Sequence, residues 1–246
     1  MATETLTTRD LLMTVLDRRA TFLRVGTVCA LVGSLGYVVA FVLHGDLPDQ
    51  TTESLLTFIA DRPWALHHLL IVFCFLLWIA ALSGLAYSFT SGMAWVLGRL
   101  GQTTAVLGMA VLLWHYNIDG PALEQVADAW SDAEGAEKAV LLERGTILTE
   151  ATSGMFPLYV ALLLGLPFVL FGLAVVLSEE YPTWLGWIGA AAGALAFAVG
   201  STNFAGFDVL PMDLFVLSVV LLNFWMIAVG RLMWRQAARV RSLAVG

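Results

Sequence analysis

Trp64–Phe89 reads WALHHLLIVFCFLLWIAALSGLAYSF. These 26 positions hold no Asp, Glu, Lys or Arg. About 20 apolar residues suffice to cross roughly 30 Å of hydrocarbon as a helix. In lipid, only a helix or a closed barrel satisfies its own backbone. A barrel strand would be shorter and would alternate in polarity, which this run does not. It is predicted to be a transmembrane helix, with Trp64, His67 and His68 in its first turn at one rim of the membrane.

Five further runs fit the same description, near Thr21–Leu43, Met93–Asn117, Thr152–Leu177, Thr183–Phe204 and Leu214–Met233. The chain is therefore expected to be an all-α, polytopic integral membrane protein, a single membrane domain over residues 1–246 with six transmembrane helices. Composition agrees. The chain is 59% hydrophobic and only 13% charged, against about 25% charged in soluble domains, and its mean hydropathy is +0.84. This excludes a soluble globular domain and a disordered chain. The first span is longer than a signal-peptide core, so it is expected to stay as an anchor. Residues 1–20 precede it, and from Thr8 to Ala20 they read as a short amphipathic helix on the inner leaflet. Cys29 and Cys74 sit inside spans with no metal or redox spacing and read as packing residues.

Charge orients the bundle. Nine Arg and five acids fall on the side of the termini; three basic and fourteen acidic residues fall on the other, +4 against −11. The positive-inside bias predicts cytoplasmic termini in a bacterial plasma membrane. The basic face suits anionic lipid and lacks the aromatic-and-basic pattern of a nucleic-acid surface, so no nucleic-acid partner is expected.

Two loops on the acidic side carry signals. In Asp61-Arg62-Pro63-Trp64 an acidic cap and a first-turn proline predict the start of the second span. Residues 119–151 are expected to form a helical flap over the outer mouth. There Asp119-Gly120-Pro121 would stop one helix, Ala122–Trp130 would form a short one, and Ser131-Asp132-Ala133-Glu134 would cap the next. Pro157 and Pro167 should kink the fourth span. Small residues spaced by four, at Gly26, Ala30 and Ser34 and at Gly186, Ala190, Ala194 and Ala198, predict close helix packing and leave a homo-oligomer open.

The chemistry is expected at one rim. His44 closes the first span, His67 and His68 open the second, and His115 closes the third, four residues before Asp119. That spacing stacks His115 and Asp119 on one helix face. Ionisable groups are costly at membrane depth, and a cluster of them points to a site. His68, His115, Asp119, Glu150 and Asp208 are the expected acid/base residues. Trp64, Trp114, Tyr116, Asn117 and Asp213 are the expected cavity wall. His68 shares the face of Trp64, whereas His67 points about 100° away, so His67 and His44 are expected only to decorate the rim. The pattern predicts a membrane-embedded enzyme or binder for a hydrophobic small molecule of lipid or isoprenoid type, in an outward-facing cavity. Imidazole with carboxylate can orient a tautomer and move a proton. Two alternatives stay open: a non-catalytic accessory or sensor subunit, and a Zn or Cu site on His68, His115 and Asp119. No cofactor is expected, and no nucleotide-binding loop, filter or chain of mid-membrane acids indicates a pump or channel.

His115–Trp130, with its Asp119-Gly120 step and Ala127-Asp128-Ala129-Trp130, resembles a group of uncharacterised six-helix membrane proteins of actinobacteria. His44 with its acidic loop, His68 after Trp64, and Trp184-Leu185-Gly186-Trp187 share the likeness. Eleven Arg against one Lys fits a GC-rich genome. The resemblance implies a fold and a membrane address, not an activity. Small integral-membrane terpene cyclases are similar in size and in using buried acids, without a shared motif.

Overall fold

An uncharged run of Leu, Val, Ala and Phe has to hydrogen-bond its own backbone in lipid, and a helix does so within one segment. In the computed structural model, which describes residues 8–48, 51–207, 209–211 and 213–245 (without the side chains of 8–12, 213 and 243–245), the described chain is helical with no strand. The helices are α1 (Thr8–His44), α2 (Thr52–Ala60), α3 (Trp64–Ser88), α4 (Gly92–Asn117), α5 (Leu123–Asp132), α6 (Gly135–Tyr159), α7 (Leu166–Val176), α8 (Thr183–Phe204) and α9 (Asp213–Val245). Two π-helical turns, Ile118–Ala122 and Val160–Gly165, join α4 to α5 and α6 to α7. Six resulting helical stretches are long and apolar enough to cross a membrane: Met13–His44, Trp64–Ser88, Gly92–Asp132, Gly135–Val176, Thr183–Phe204 and Leu214–Ser242. Their outward faces carry Val28, Val32, Leu35, Leu66, Phe73 and Leu107 exposed, which fits contact with lipid.

The bundle core holds Leu23, Phe75, Trp78, Leu85, Phe168, Phe171 and Trp225, all fully or nearly fully buried. Small residues set its close approaches. A Cβ on Gly26 would lie 3.1 Å from Gly84 Cα, so α1 and α3 meet there backbone to backbone. Two buried indoles of this core find partners: Trp78 Nε1–H donates to Ser34 Oγ at 3.2 Å and Trp225 Nε1–H to Leu185 O at 2.9 Å. At the end that holds the termini, Arg19 donates to Ser88 O at 2.6 Å and pairs with Glu180, which also faces Arg239. Tyr181 OH donates to Gln236 Oε1 at 2.8 Å, and burial pushes its phenol pKa up.

At the opposite end a second, smaller core joins α2, α5 and the start of α6 around Leu56, Ile59, Trp64, Leu123, Ala127, Trp130 and Leu141. Helix α2 is absent from the sequence reading. Thr51 caps it by accepting from Ser54 N–H, and Leu56 and Ile59 are its buried face. Asp61 consequently ends α2 rather than capping α3, which begins after Pro63 with no side-chain cap. Three other expectations change. Asp119-Gly120-Pro121 does not stop the helix, because the π turn carries it through. Ser131 sits in the last turn of α5, its hydroxyl on Asp128 O, and α6 starts at Gly135 after Glu134. The segment from Thr8 to Ala20 continues unbroken into the first span, since it contains neither Gly nor Pro; residues 1–7 before it lie outside the described residues.

Candidate functional site

The π turn after α4 places the acid. Pro121 has no N–H, and its ring would strike the carbonyl of Asn117 in an α-helix. The ladder widens instead, and Leu123 N–H donates to Ile118 O, five residues back. Such bulges are frequent at functional sites. The Trp64 indole donates to the Asp119 carbonyl oxygen at 2.7 Å, which ties the turn to the start of α3. Gly120 lies against α3 so closely that a Cβ would stand 3.2 Å from His68 Cβ.

These contacts bring Asp119 to His68. His68 Nε2 lies 3.0 Å from Asp119 Oδ2, and His68 Nδ1 lies 2.9 Å from Trp64 O. His115 Nε2 approaches the same Oδ2 at 3.7 Å. Both rings are buried, at 2% and 4% exposure, while the Asp119 side chain keeps 22%. His115 Nδ1 is buried without a well-formed hydrogen bond, alongside the Thr152 backbone.

The proton count at His68 follows from its partners. A backbone carbonyl can only accept, so Nδ1 carries a proton and donates to Trp64 O. An ionised carboxylate can also only accept. If Asp119 is charged, Nε2 must be protonated too, and the pair is imidazolium with carboxylate. If His68 is neutral, Asp119 must be the acid and donate to Nε2. Any state without this second proton sets two lone pairs against each other in a buried site, at a cost of about 1–3 kcal/mol. In both allowed states the pair holds one proton between Nε2 and Oδ2, and that proton borders a cavity.

The cavity measures about 500 Å³, inside the roughly 300–1,000 Å³ range of small-molecule sites. Its wall is mostly aromatic and apolar. Tyr116 meets the His68 ring at 4.8 Å between centroids, Tyr159 meets His115 at 5.1 Å, and Phe156 bridges Tyr159 and Phe215. The side chains of Tyr116 and Tyr159 also interact with each other. Thr149, Thr152, Ser153 and Phe156 present one face of α6, and Tyr159 directly precedes the second π turn.

Of the expected residues, Trp64, His68, His115, Tyr116 and Asp119 come together on the cavity. Trp114 and Asn117 are exposed on the other side of α4, one residue before and two after His115. Glu150 is exposed, about 100° around α6 from Thr149. These three do not line the cavity. Asp208 and the side chain of Asp213 lie outside the described residues. His44, expected only at the rim, lines the cavity, its ring 4.6 Å from Trp64 and 5.4 Å from His68; His67 does not line it. Tyr37, Phe156 and Tyr159 also line it, as does Asn203, one of the few polar residues within a span. Nothing in their local spacing marks them.

Among the described residues no group of three or more His, Cys, Asp or Glu is placed to hold a metal ion. The imidazoles of His68 and His115 converge on one carboxylate oxygen, at 3.0 and 3.7 Å. Comparison with protein-family models, with curated proteins and with solved structures gave no match.

Proposed function

We propose that this chain is a membrane-embedded enzyme that takes a hydrophobic small molecule of lipid or isoprenoid type into the cavity and acts on it by proton transfer. The observation that carries the reading is the environment of His68, with one ring nitrogen on the Trp64 carbonyl and the other on the Asp119 carboxyl group. That arrangement supports a stored, transferable proton at the edge of a largely apolar chamber.

The chemistry balances without a co-reactant. The proton between Nε2 and Oδ2 passes to a carbon–carbon double bond of the substrate. The electron pair of that bond forms the new C–H bond, and positive charge develops on the neighbouring carbon. Aromatic faces such as those of Trp64, Tyr116 and Phe156 stabilise a cation. Asp119, left as carboxylate beside neutral His68, attracts it further. His115, whose ring lines the cavity with Nε2 3.7 Å from Asp119 Oδ2, is the group able to take a proton from an adjacent carbon. The net change is an isomerisation, or a cyclisation if a second double bond attacks the cation first. Charge bias across the bundle supports an outward-facing cavity on the acidic side.

The test uses the full chain in lipid nanodiscs in D₂O, supplied with a total lipid extract of the host membrane. One apolar species is expected to gain carbon-bound deuterium with the wild-type protein and not with Asp119→Asn. Equal incorporation by both proteins, or none by either, overturns the reading.

A further inference from the structure

A second cavity opens sideways between α1 and α9. It measures about 260 Å³ and lies between residues 34–42 and 215–227. Tyr37, Phe41 and Phe215 belong both to it and to the His–Asp cavity, so the two spaces share a wall. The two helices are locked together nearer the termini, where Thr27 Oγ1 donates to Gly230 O at 2.9 Å and a Cβ on Gly230 would lie 3.0 Å from Ala30 Cβ. Beyond that crossing they leave a groove whose length along α1 is roughly 12 Å. Val38 and Phe224 at its lips are exposed, and in a membrane that exposure is to lipid chains.

One residue in this apolar groove is out of keeping. Asn223 is only 7% exposed, and its Nδ2 donates to Val219 O at 3.3 Å. Its Oδ1 is buried without a partner. An unpaired amide oxygen in hydrocarbon costs several kcal/mol, and an intramembrane polar residue in a cavity wall points to a ligand. Oδ1 can only accept, so the missing partner is a hydrogen-bond donor. The other polar side chain on this wall, Ser34, makes no hydrogen bond to Oδ1; its hydroxyl oxygen accepts from Trp78.

We propose that the groove is the lipid-phase entrance to the His–Asp cavity and the seat of one class of substrate, a long apolar chain carrying a hydroxyl. The hydroxyl donates to Asn223 Oδ1. The chain runs between α1 and α9, passes Phe41 and Phe215, and ends beside His68 and Asp119. This rests on the proton-transfer reading for what happens to the chain's far end, while the groove and its occupant are tested separately. A substrate seated this way reaches the acid from the bilayer and never crosses water, which matches a cavity whose polar groups all gather at one rim.

The probe is farnesol carrying a diazirine at its tail, photolysed with the full chain in nanodiscs and mapped by peptide mass spectrometry. Adducts are expected on the cavity face of α4 and α6, around Tyr116 and Phe156. The methyl ether of the same probe has no donor and should label these positions about tenfold less, with no change to the protein. Asn223→Leu should give the same loss, and Val38→Trp, at a lipid-facing lip, should block labelling by filling the groove. Adducts scattered over all lipid-facing residues overturn the proposal. So does cavity labelling indifferent to the ether, to Asn223→Leu and to Val38→Trp, or a cross-linked dimer joined through α1 and α9, which would show a second copy in the groove. Donor-dependent labelling without deuterium incorporation would overturn the proton-transfer reading and leave the groove standing. Deuterium incorporation with donor-indifferent labelling would do the reverse.

Discussion

Asp119→Asn separates holding the site from running it. The amide can donate to His68 Nε2 as the acid does, so the contact survives while the transferable proton is lost. Stability should move by no more than about 1 kcal/mol in a detergent melt, and deuterium incorporation should vanish. Gly120→Ala acts through position: its Cβ would stand 3.2 Å from His68 Cβ, so His68 must shift by a few tenths of an ångström, enough to lengthen its bond to Oδ2. A moderate loss of stability, of about 1–3 kcal/mol, should accompany near-complete loss of incorporation, whereas retained incorporation would remove Gly120 from the site's support. At this scale the sequence made one pairing visible. His115 and Asp119 are four apart on one helix, and His68 lies one turn below Trp64. The His68–Asp119 bond spans 51 positions and depends on where α3 meets the π turn, so no local spacing could reveal it. The place of His44 on the cavity is hidden for the same reason, because its neighbours Trp64 and His68 come from another helix. Trp114 and Asn117 share the turn of His115, and Glu150 shares its rim, but helix geometry turns all three off the cavity face.

Helix α2 and the glycines of the α7–α8 pair show what elements contribute. Thr51→Ala removes the cap of α2 and should destabilise it by about 1 kcal/mol, seen as faster hydrogen exchange over Thr52–Ala60 with the spans unchanged. Gly193→Ala would put a Cβ 2.6 Å from Val169 N and 2.8 Å from Gly165 O. Backbone cannot yield there, and folded yield should fall sharply. Gly154→Ala meets nothing within 4 Å and should stabilise α6 by about 0.5–1 kcal/mol; equal effects of the two substitutions would refute this packing. The spans themselves were legible, since apolar length alone fixes them. Helix ends near the polar rim were not. Asp119-Gly120-Pro121 has the composition of a stop, yet a π turn and the Trp64 indole keep the helix intact. Thr51-Thr52-Glu53-Ser54 did carry a cap signal, and the apolar pair Leu56 and Ile59 behind it marks the buried face.

For the whole molecule, the uneven charge of +4 against −11 supports an orientation with the His–Asp rim outside. Single cysteines at Ser131 and Thr90, in a background with Cys29 and Cys74 replaced, should react with an impermeant maleimide in intact cells at Ser131 only; labelling at Thr90 alone would invert the bundle. Fold class was readable because lipid leaves a chain few choices, while the cavity required six helices to be brought together. What they surround is the proton shared by His68 and Asp119, and nitrogen NMR reads it directly. In the full chain labelled with ¹⁵N-histidine in nanodiscs, one histidine should show a protonated Nδ1 and an Nε2 that shares a proton with an acid. Asp119→Asn should turn that Nε2 into an unprotonated acceptor while Nδ1 stays protonated. A His68 whose Nδ1 is unprotonated in the wild-type protein, or whose Nε2 stays protonated in Asp119→Asn, would contradict the account.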